Sequence, residues 1–296
     1  LARSLSSTKS YRFGVLIPRP EQDGRYWELP RRGISRAIEE LQVYKVDVRY
    51  YPYNKYAEHS FEDAGRAVLA DAAQLDGLLI APVLSDAAER FITRIPSRLP
   101  YIFLDSYIPN AKCLSYIGED SFQSGMLSAK LMHLLVGQQG TVAVVKALPF
   151  DYHIEDRVRG FINFFRTFPE IRILNYNANA QESDSYARVT RQALQNNPDL
   201  KGIFCSNACS FQVAAAVKLD SPPHKIYVIG YDLVEQNIAC LQDGSITFLI
   251  SQRSEMQGYK SIYKLYKKIV LKEKIERQVL MPLDIITQEN LIYYQN

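Results

Sequence analysis

Short runs rich in β-branched and aromatic residues alternate with segments of helical period along nearly the whole chain. Strands are expected at 12–18, 46–51, 77–81, 101–104, 114–118, 141–146, 171–176, 202–205, 226–230 and 246–250. Between most of them lie segments of roughly 12–18 residues with apolar positions three and four apart, such as Phe122, Met126, Ala129, Met132 and His133. Strand–helix alternation with short, continuously apolar strands implies parallel sheets covered by helices on both faces. About ten such units are too many for one open sheet of ordinary size, so the pattern predicts two α/β lobes. No internal repeat, low-complexity tract or Pro/Gly linker marks a boundary, which fits lobes between which the chain passes back and forth.

The predicted strands share one further property: they end in polar residues just before the next helix. The endings are Asp105-Ser106, Glu119-Asp120, Ser206-Asn207, Tyr231-Asp232 and Ser251-Gln252. In a parallel sheet all carboxyl ends lie along one edge, where open α/β sheets bind ligands. Asp, Ser and Asn there also suit helix caps, so each residue singly has a structural alternative. Gln252 is a poor cap, and the five endings together point to a polar cleft.

Composition narrows the class. The chain has 296 residues, 47% apolar and 23% charged, enough for about two domains of roughly 150 residues and incompatible with a disordered or collagenous chain. No apolar run approaches the roughly 18 residues of a membrane span, so no membrane role is expected. A net charge of +3 is too mild to indicate nucleic-acid binding by composition. The 20 tyrosines offer both ring faces and hydroxyls to polar ligands. Cys113, Cys205, Cys209 and Cys240 form no CxxC pair and read as small buried residues in a reducing compartment. The sequence starts at Leu1 without Met and shows no charged-then-apolar leader, a pattern that a removed N-terminus also leaves, so the expected cytoplasmic location rests on cysteine usage and not on this end of the chain.

Motifs for chemistry are missing. There is no GxGxxG, P-loop, GxSxG or HExxH, and His59, His133, His153 and His224 are scattered, so neither cofactor nor metal is expected. With no nucleophile or base nominated, the expectation is a binding protein and not an enzyme. The basic stretch Lys264-Leu265-Tyr266-Lys267-Lys268, with Lys272 and Lys274, could touch nucleic acid. Its charges interleave with Ile262, Leu265, Ile269 and Val270 at helical spacing, which predicts a solvated amphipathic face.

Four segments carry a resemblance: Arg12-Phe13-Gly14-Val15-Leu16-Ile17-Pro18, Ile117-Gly118-Glu119-Asp120 through Gly125, Asp156-Arg157-Val158-Arg159-Gly160-Phe161, and Val228-Ile229-Gly230-Tyr231-Asp232. In this order and spacing they resemble the type I periplasmic-binding-protein fold, most nearly the sugar-responsive effector domains of lac-repressor-family regulators. The resemblance covers residues 11–296, including the ending Pro282-Leu283-Asp284-Ile285-Ile286-Thr287-Gln288-Glu289-Asn290-Leu291. It implies two doubly wound parallel-sheet lobes joined by three crossovers, near Gly118–Glu119, Gln252 and Met281–Pro282. The lobes so implied are 11–118 with 253–281 and 119–252 with 282–296, preceded by a hinge remnant at 1–10.

Position by position, the resemblance places Tyr26 and Trp27 against the apolar face of a sugar ring and makes Asp105 an acceptor for ring hydroxyls. Arg157 would span adjacent ligand oxygens, Asn207 and Asp232 would add polar contacts from the second lobe, and Gln252 would supply an amide. Tyr231 would stand beside Asp232 as an aromatic ligand contact. Independently of family, carboxylates, Arg, amides and rings suit a polyol. Tyr26 and Trp27 could equally be core contacts at a helix start, and Arg157 a surface partner of Asp156 or Glu155. The chain departs from pentose-binding relatives in having Ser106 where they carry Arg, and the loop Arg19-Pro20-Glu21-Gln22-Asp23-Gly24 is acidic where they often have Asn.

Residues 1–10 resemble the hinge that joins a helix-turn-helix headpiece to such effector domains, with Leu5 where that family has its minor-groove leucine. The function implied is a cytoplasmic, homodimeric regulator domain. It would bind a small carbohydrate effector between its lobes and couple it to operator DNA through a headpiece absent from these residues. The alternatives are an extracytoplasmic sugar-binding or sensor domain of the same fold, and a purine-type effector, since rings with Arg and Asp also suit a flat heterocycle.

Overall fold

The computed structural model describes residues 9–148, 151–179, 182 and 184–294. In chain order the elements are β1 (Tyr11–Pro18), α1 (Glu28–Leu41), β2 (Val46–Tyr53), α2 (Glu58–Asp71), β3 (Gly77–Ile80), α3 (Ser85–Ile92), β4 (Tyr101–Leu104) and β5 (Tyr116–Gly118). They continue with α4 (Ser121–Val136), β6 (Gly140–Leu148), α5 (Tyr152–Phe165), β7 (Ile171–Asn179), α6 (Ser185–Asn196), β8 (Leu200–Cys205), α7 (Ser210–Asp220) and β9 (Tyr227–Tyr231). The last are α8 (Glu235–Gln242), β10 (Phe248–Ser251), α9 (Ser254–Ile269), β11 (Gln278–Leu280) and β12 (Asp284–Ile286). None of these helices is long and apolar enough to cross a membrane.

The chain divides into two compact units, Leu1–Glu119 with Arg253–Met281, and Asp120–Gln252 with Pro282–Asn296. Each contains one six-stranded sheet. The first runs β11-β5-β4-β3-β1-β2 and the second β12-β10-β9-β8-β6-β7, the same order offset by five strands apart from the edge strands β11 and β12. Every neighbouring pair is parallel except β10 with β12, which is antiparallel. Two α/β lobes with parallel sheets are thus the fold class, as the alternation of patterns implied.

Strand alternation divides the second unit's core in two. Ala143, Val145 and Ala147 face the side of α6, α7 and α8, whereas Val142 and Val144 face α4 and α5. On β9, Val228 joins the first cluster, and Ile229 and Tyr231 the second. Among the most tightly packed helices, small residues let backbones touch. A Cβ at Gly125 would fall 1.9 Å from the Arg157 carbonyl oxygen, and one at Gly160 would fall 2.0 Å from that of Phe122, so α4 and α5 cross glycine to backbone both ways. The first unit repeats the device between α1 and α9. There a Cβ on Gly33 would meet the Glu255 carbonyl oxygen at 1.8 Å and one on Gly258 that of Pro30 at 2.1 Å.

Two strands were not expected. β11 and β12 have three residues each and β11 is largely exposed, so neither shows an apolar run; their hydrogen-bonded neighbours β5 and β10 define them.

Candidate functional site

In the first unit the candidate residues start where β4 ends. Asp105 bends the chain in the left-handed region, φ 68°, where Asp is better tolerated than most residues. Its N–H still donates to the Ile117 carbonyl at 2.9 Å, and its own carbonyl accepts from the Tyr116 hydroxyl at 3.1 Å. The carboxylate, buried, accepts from the Tyr26 hydroxyl. Tyr26 comes from the loop after β1, which is held by a network the sequence did not signal. The Asp23 carboxylate accepts from the Lys55 ammonium and the Tyr56 hydroxyl. The Gln22 amide donates to Asn54 Oδ1 at 2.6 Å, and its oxygen accepts from the Lys55 N–H at 3.0 Å. Asp23, Gly24 and Arg25 are all left-handed, a strained turn that this network stabilises. Trp27 opens α1 with its ring edge-on to Tyr26, centroids 5.0 Å apart. It is 1% exposed, and its indole N–H has no acceptor among the described residues.

The second unit repeats the turn. After β9, Asp232 has φ 67° and donates its N–H to the Ile250 carbonyl at 2.9 Å, as Asp105 does to Ile117. The Gln252 amide donates to Asp232 Oδ2 at 3.2 Å, and both side chains are buried. Asn237 clamps the turn from α8, donating to the carbonyls of Tyr231 at 2.7 Å, Asp232 at 3.1 Å and Ala208 at 2.9 Å. Arg157, on α5, is 1% exposed. Its Nη1 donates to the Ser206 carbonyl at 2.8 Å, and its guanidinium carbon lies 3.8 Å from the Tyr231 ring centroid. A desolvated guanidinium on an aromatic face is worth roughly 2 kcal/mol or more. Asn207 donates to the Tyr186 hydroxyl at 2.9 Å and accepts from the Cys209 N–H at 3.2 Å and the Cys205 thiol at 3.4 Å. Burial pushes that thiol up to about 11, so it stays a neutral donor.

A family model described as periplasmic binding protein domain matches residues 13–274. The chain belongs to the periplasmic-binding-protein family. It is 26% identical over 214 residues to the xylose/arabinose-binding protein XylF of Sulfolobus acidocaldarius, covering 67% of this chain and 51% of XylF, about half the length of that relative. To the ribose import binding protein RbsB of Bacillus subtilis it is 22% identical, over 73% of this chain and 70% of RbsB. Among solved structures, a candidate LacI transcriptional regulator from Bacteroides fragilis superposes with a TM-score of 0.90 at 28% identity, over 97% of this chain and 100% of that one.

Within this periplasmic-binding-protein chain, the structure brings together Tyr26 with Asp105, Tyr26 with Trp27, Asp232 with Gln252, and Arg157 with Tyr231. Arg157 is buried and not a surface side chain; Glu155 accepts from Lys146, and Asp156 from Arg159. Tyr231 faces the core of its unit. Its ring is fully buried beside Phe204, with its hydroxyl 2.6 Å from Ser124 Oγ and 3.2 Å from Ser128 Oγ. Tyr231 shares the β9 face of Ile229, which points at α4 and α5, and its ring supports the Arg157 guanidinium. Asp120 caps α4 by accepting from the Gln123 N–H at 3.0 Å, the structural alternative for a polar strand end. His153 is not isolated: its Nδ1 lies 2.8 Å from Oδ1 of Asp151, which caps α5. No group of three or more His, Cys, Asp or Glu able to hold a metal occurs among the described residues. Leu5 and the rest of the hinge up to Thr8 lie outside the described residues.

Proposed function

We propose that the chain is a carbohydrate-binding protein that holds a small sugar at the carboxyl edges of its sheets and releases it unchanged. The observation that carries this is the repeated turn: Asp105 and Asp232 each end a strand in the left-handed conformation, each buried, and each bonded by a neighbouring donor, Tyr26 or Gln252. Carboxylates so placed accept from sugar hydroxyls, and Arg157 and the indole N–H of Trp27 donate to sugar oxygens. The names of the Sulfolobus and Bacillus relatives support a pentose. The test is calorimetry with D-xylose, L-arabinose, D-ribose, D-galactose and adenine, followed by NMR of the recovered ligand. Sugar binding with unchanged sugar is the expected result; adenine alone binding favours a purine effector, and a converted sugar makes the chain an enzyme.

A second reading is supported by the likeness to the Bacteroides fragilis structure: an effector domain of a LacI-type regulator, cytoplasmic, dimeric, with a DNA-binding headpiece ahead of Leu1. Its test is anisotropy of the full gene product on its own promoter with and without the sugar. Coupling must be reciprocal, the sugar shifting DNA affinity and DNA shifting sugar affinity by one factor. Absence of coupling leaves the transport-type or sensor-type binding protein.

A further inference from the structure

The basic stretch that the sequence presents as a solvated helix face lines a groove. Helix α9 buries Ile262, Leu265 and Ile269, and its other side, with the edge strand β11, borders an open groove of about 440 Å³ lined by Tyr259, Tyr263, Lys260, Lys264, Lys267 and Glu276. That volume is in the range of small-molecule sites, about 300–1,000 Å³. Lys264 has its ammonium on the Glu276 carboxylate and is only 14% exposed; Lys264, then Lys267, holds that carboxyl below its usual range. Lys260 and Lys267 form no salt bridge among the described residues, Lys267 acting on Glu276 only at longer range, behind Lys264. Three ammonium groups therefore face one carboxylate across a concave surface. The tyrosine wall is fixed: both hydroxyls donate to Glu40, Tyr259 at 2.7 Å and Tyr263 at 2.6 Å, with ring centroids 4.7 Å apart. Burial and the Glu40 carboxylate raise the Tyr263 phenol, which keeps that ring's hydroxyl protonated.

We propose that this groove is a second ligand site, which takes a small organic phosphate with its phosphoryl oxygens on Lys260, Lys264 and Lys267 and its carbon skeleton against the two tyrosine rings. Lysine serves phosphate as a point charge and needs no planar geometry. A groove of this size fits a small molecule.

Calorimetry on the full chain with inorganic pyrophosphate, ADP and adenosine tests this. Pyrophosphate and ADP should bind and adenosine should be at least about tenfold weaker, because the phosphates carry the interaction. The double variant Lys260→Ala/Lys267→Ala should weaken ADP by about tenfold or more, while Lys112→Ala/Lys130→Ala, which removes the same charge from exposed positions elsewhere, should leave it within twofold. Glu276→Gln should tighten ADP several-fold by releasing Lys264 from its partner. Each variant's thermal unfolding should match wild type, since all five side chains are at least partly exposed. Failure of pyrophosphate and ADP to bind at millimolar concentration overturns the proposal. So do equal losses in the two double variants, which would mean diffuse charge. Binding of a short DNA duplex through Lys260 and Lys267 with none of ADP would assign the face to nucleic acid instead.

Discussion

Replacing Arg157 by Met separates binding from folding. In the folded chain the guanidinium donates to the Ser206 carbonyl at 2.8 Å and stacks 3.8 Å above the Tyr231 ring, while only 1% exposed. A hydrogen bond from a charged group contributes about 1.5–3 kcal/mol and the desolvated stack roughly 2. Burying the cation costs several kcal/mol, which Arg157→Met removes along with the attractions. Methionine fills most of the same volume on the Tyr231 ring, so the remaining deficit is the Ser206 carbonyl left without its donor, about 1–2 kcal/mol. Urea unfolding should therefore show a loss of that size. A sugar bound by wild type loses a charged donor, about 1.5–3 kcal/mol, and calorimetry should show affinity falling roughly 10- to 150-fold. Arg157→Lys keeps the charge but not the planar stack and should fall between. A stability loss above about 4 kcal/mol with unchanged affinity would refute the reasoning and make Arg157 a brace between α5 and β8.

Tyr26→Phe removes the hydroxyl that donates to Asp105; stability should drop by about 1–2 kcal/mol in urea and sugar affinity several-fold, the carboxylate having lost its orienting donor. Gly125→Ala places a methyl 1.9 Å from the Arg157 carbonyl oxygen and should cost at least about 2 kcal/mol, whereas Gly65→Ala meets only the Phe91 ring and should cost less; parallel denaturation curves decide. Acid should unfold the chain partly through Asp199 and Asp243. Asp199 is held low by the Thr141 hydroxyl and Arg172, and Asp243 by Ser245 and Lys218. Because folding lowers both, their contribution is present above about pH 4 and fades as pH falls through the folded values, the unfolded chain binding more protons. Asp199→Asn/Asp243→Asn should be less stable at neutral pH and lose less stability between about pH 5 and pH 2, measured by thermal melts across that range.

Local pattern determines much of this protein. The apolar run from Phe13 to Ile17 can be buried on both faces only in a parallel sheet under helices, so the alternation of such runs with helical segments carries the fold class by itself. Asp105, Asp232 and Gln252 were legible as strand-end residues because each follows an apolar run, Gln252 after one intervening Ser. Tertiary structure decided the rest, for three physical reasons. Three-residue strands such as β11 and β12 carry no pattern of their own and exist because β5 and β10 offer them hydrogen bonds. A side chain's face depends on how the sheet is covered, so Tyr231 turns into the α4–α5 core while its neighbour Asp232 joins Gln252. Partners far apart in sequence meet only after folding: Asp23 with Lys55, Arg157 with the Ser206 carbonyl, and the reciprocal glycine contacts between helices within each unit. Such pairing depends on distance in space, and a linear pattern of apolar and polar residues holds no term for it.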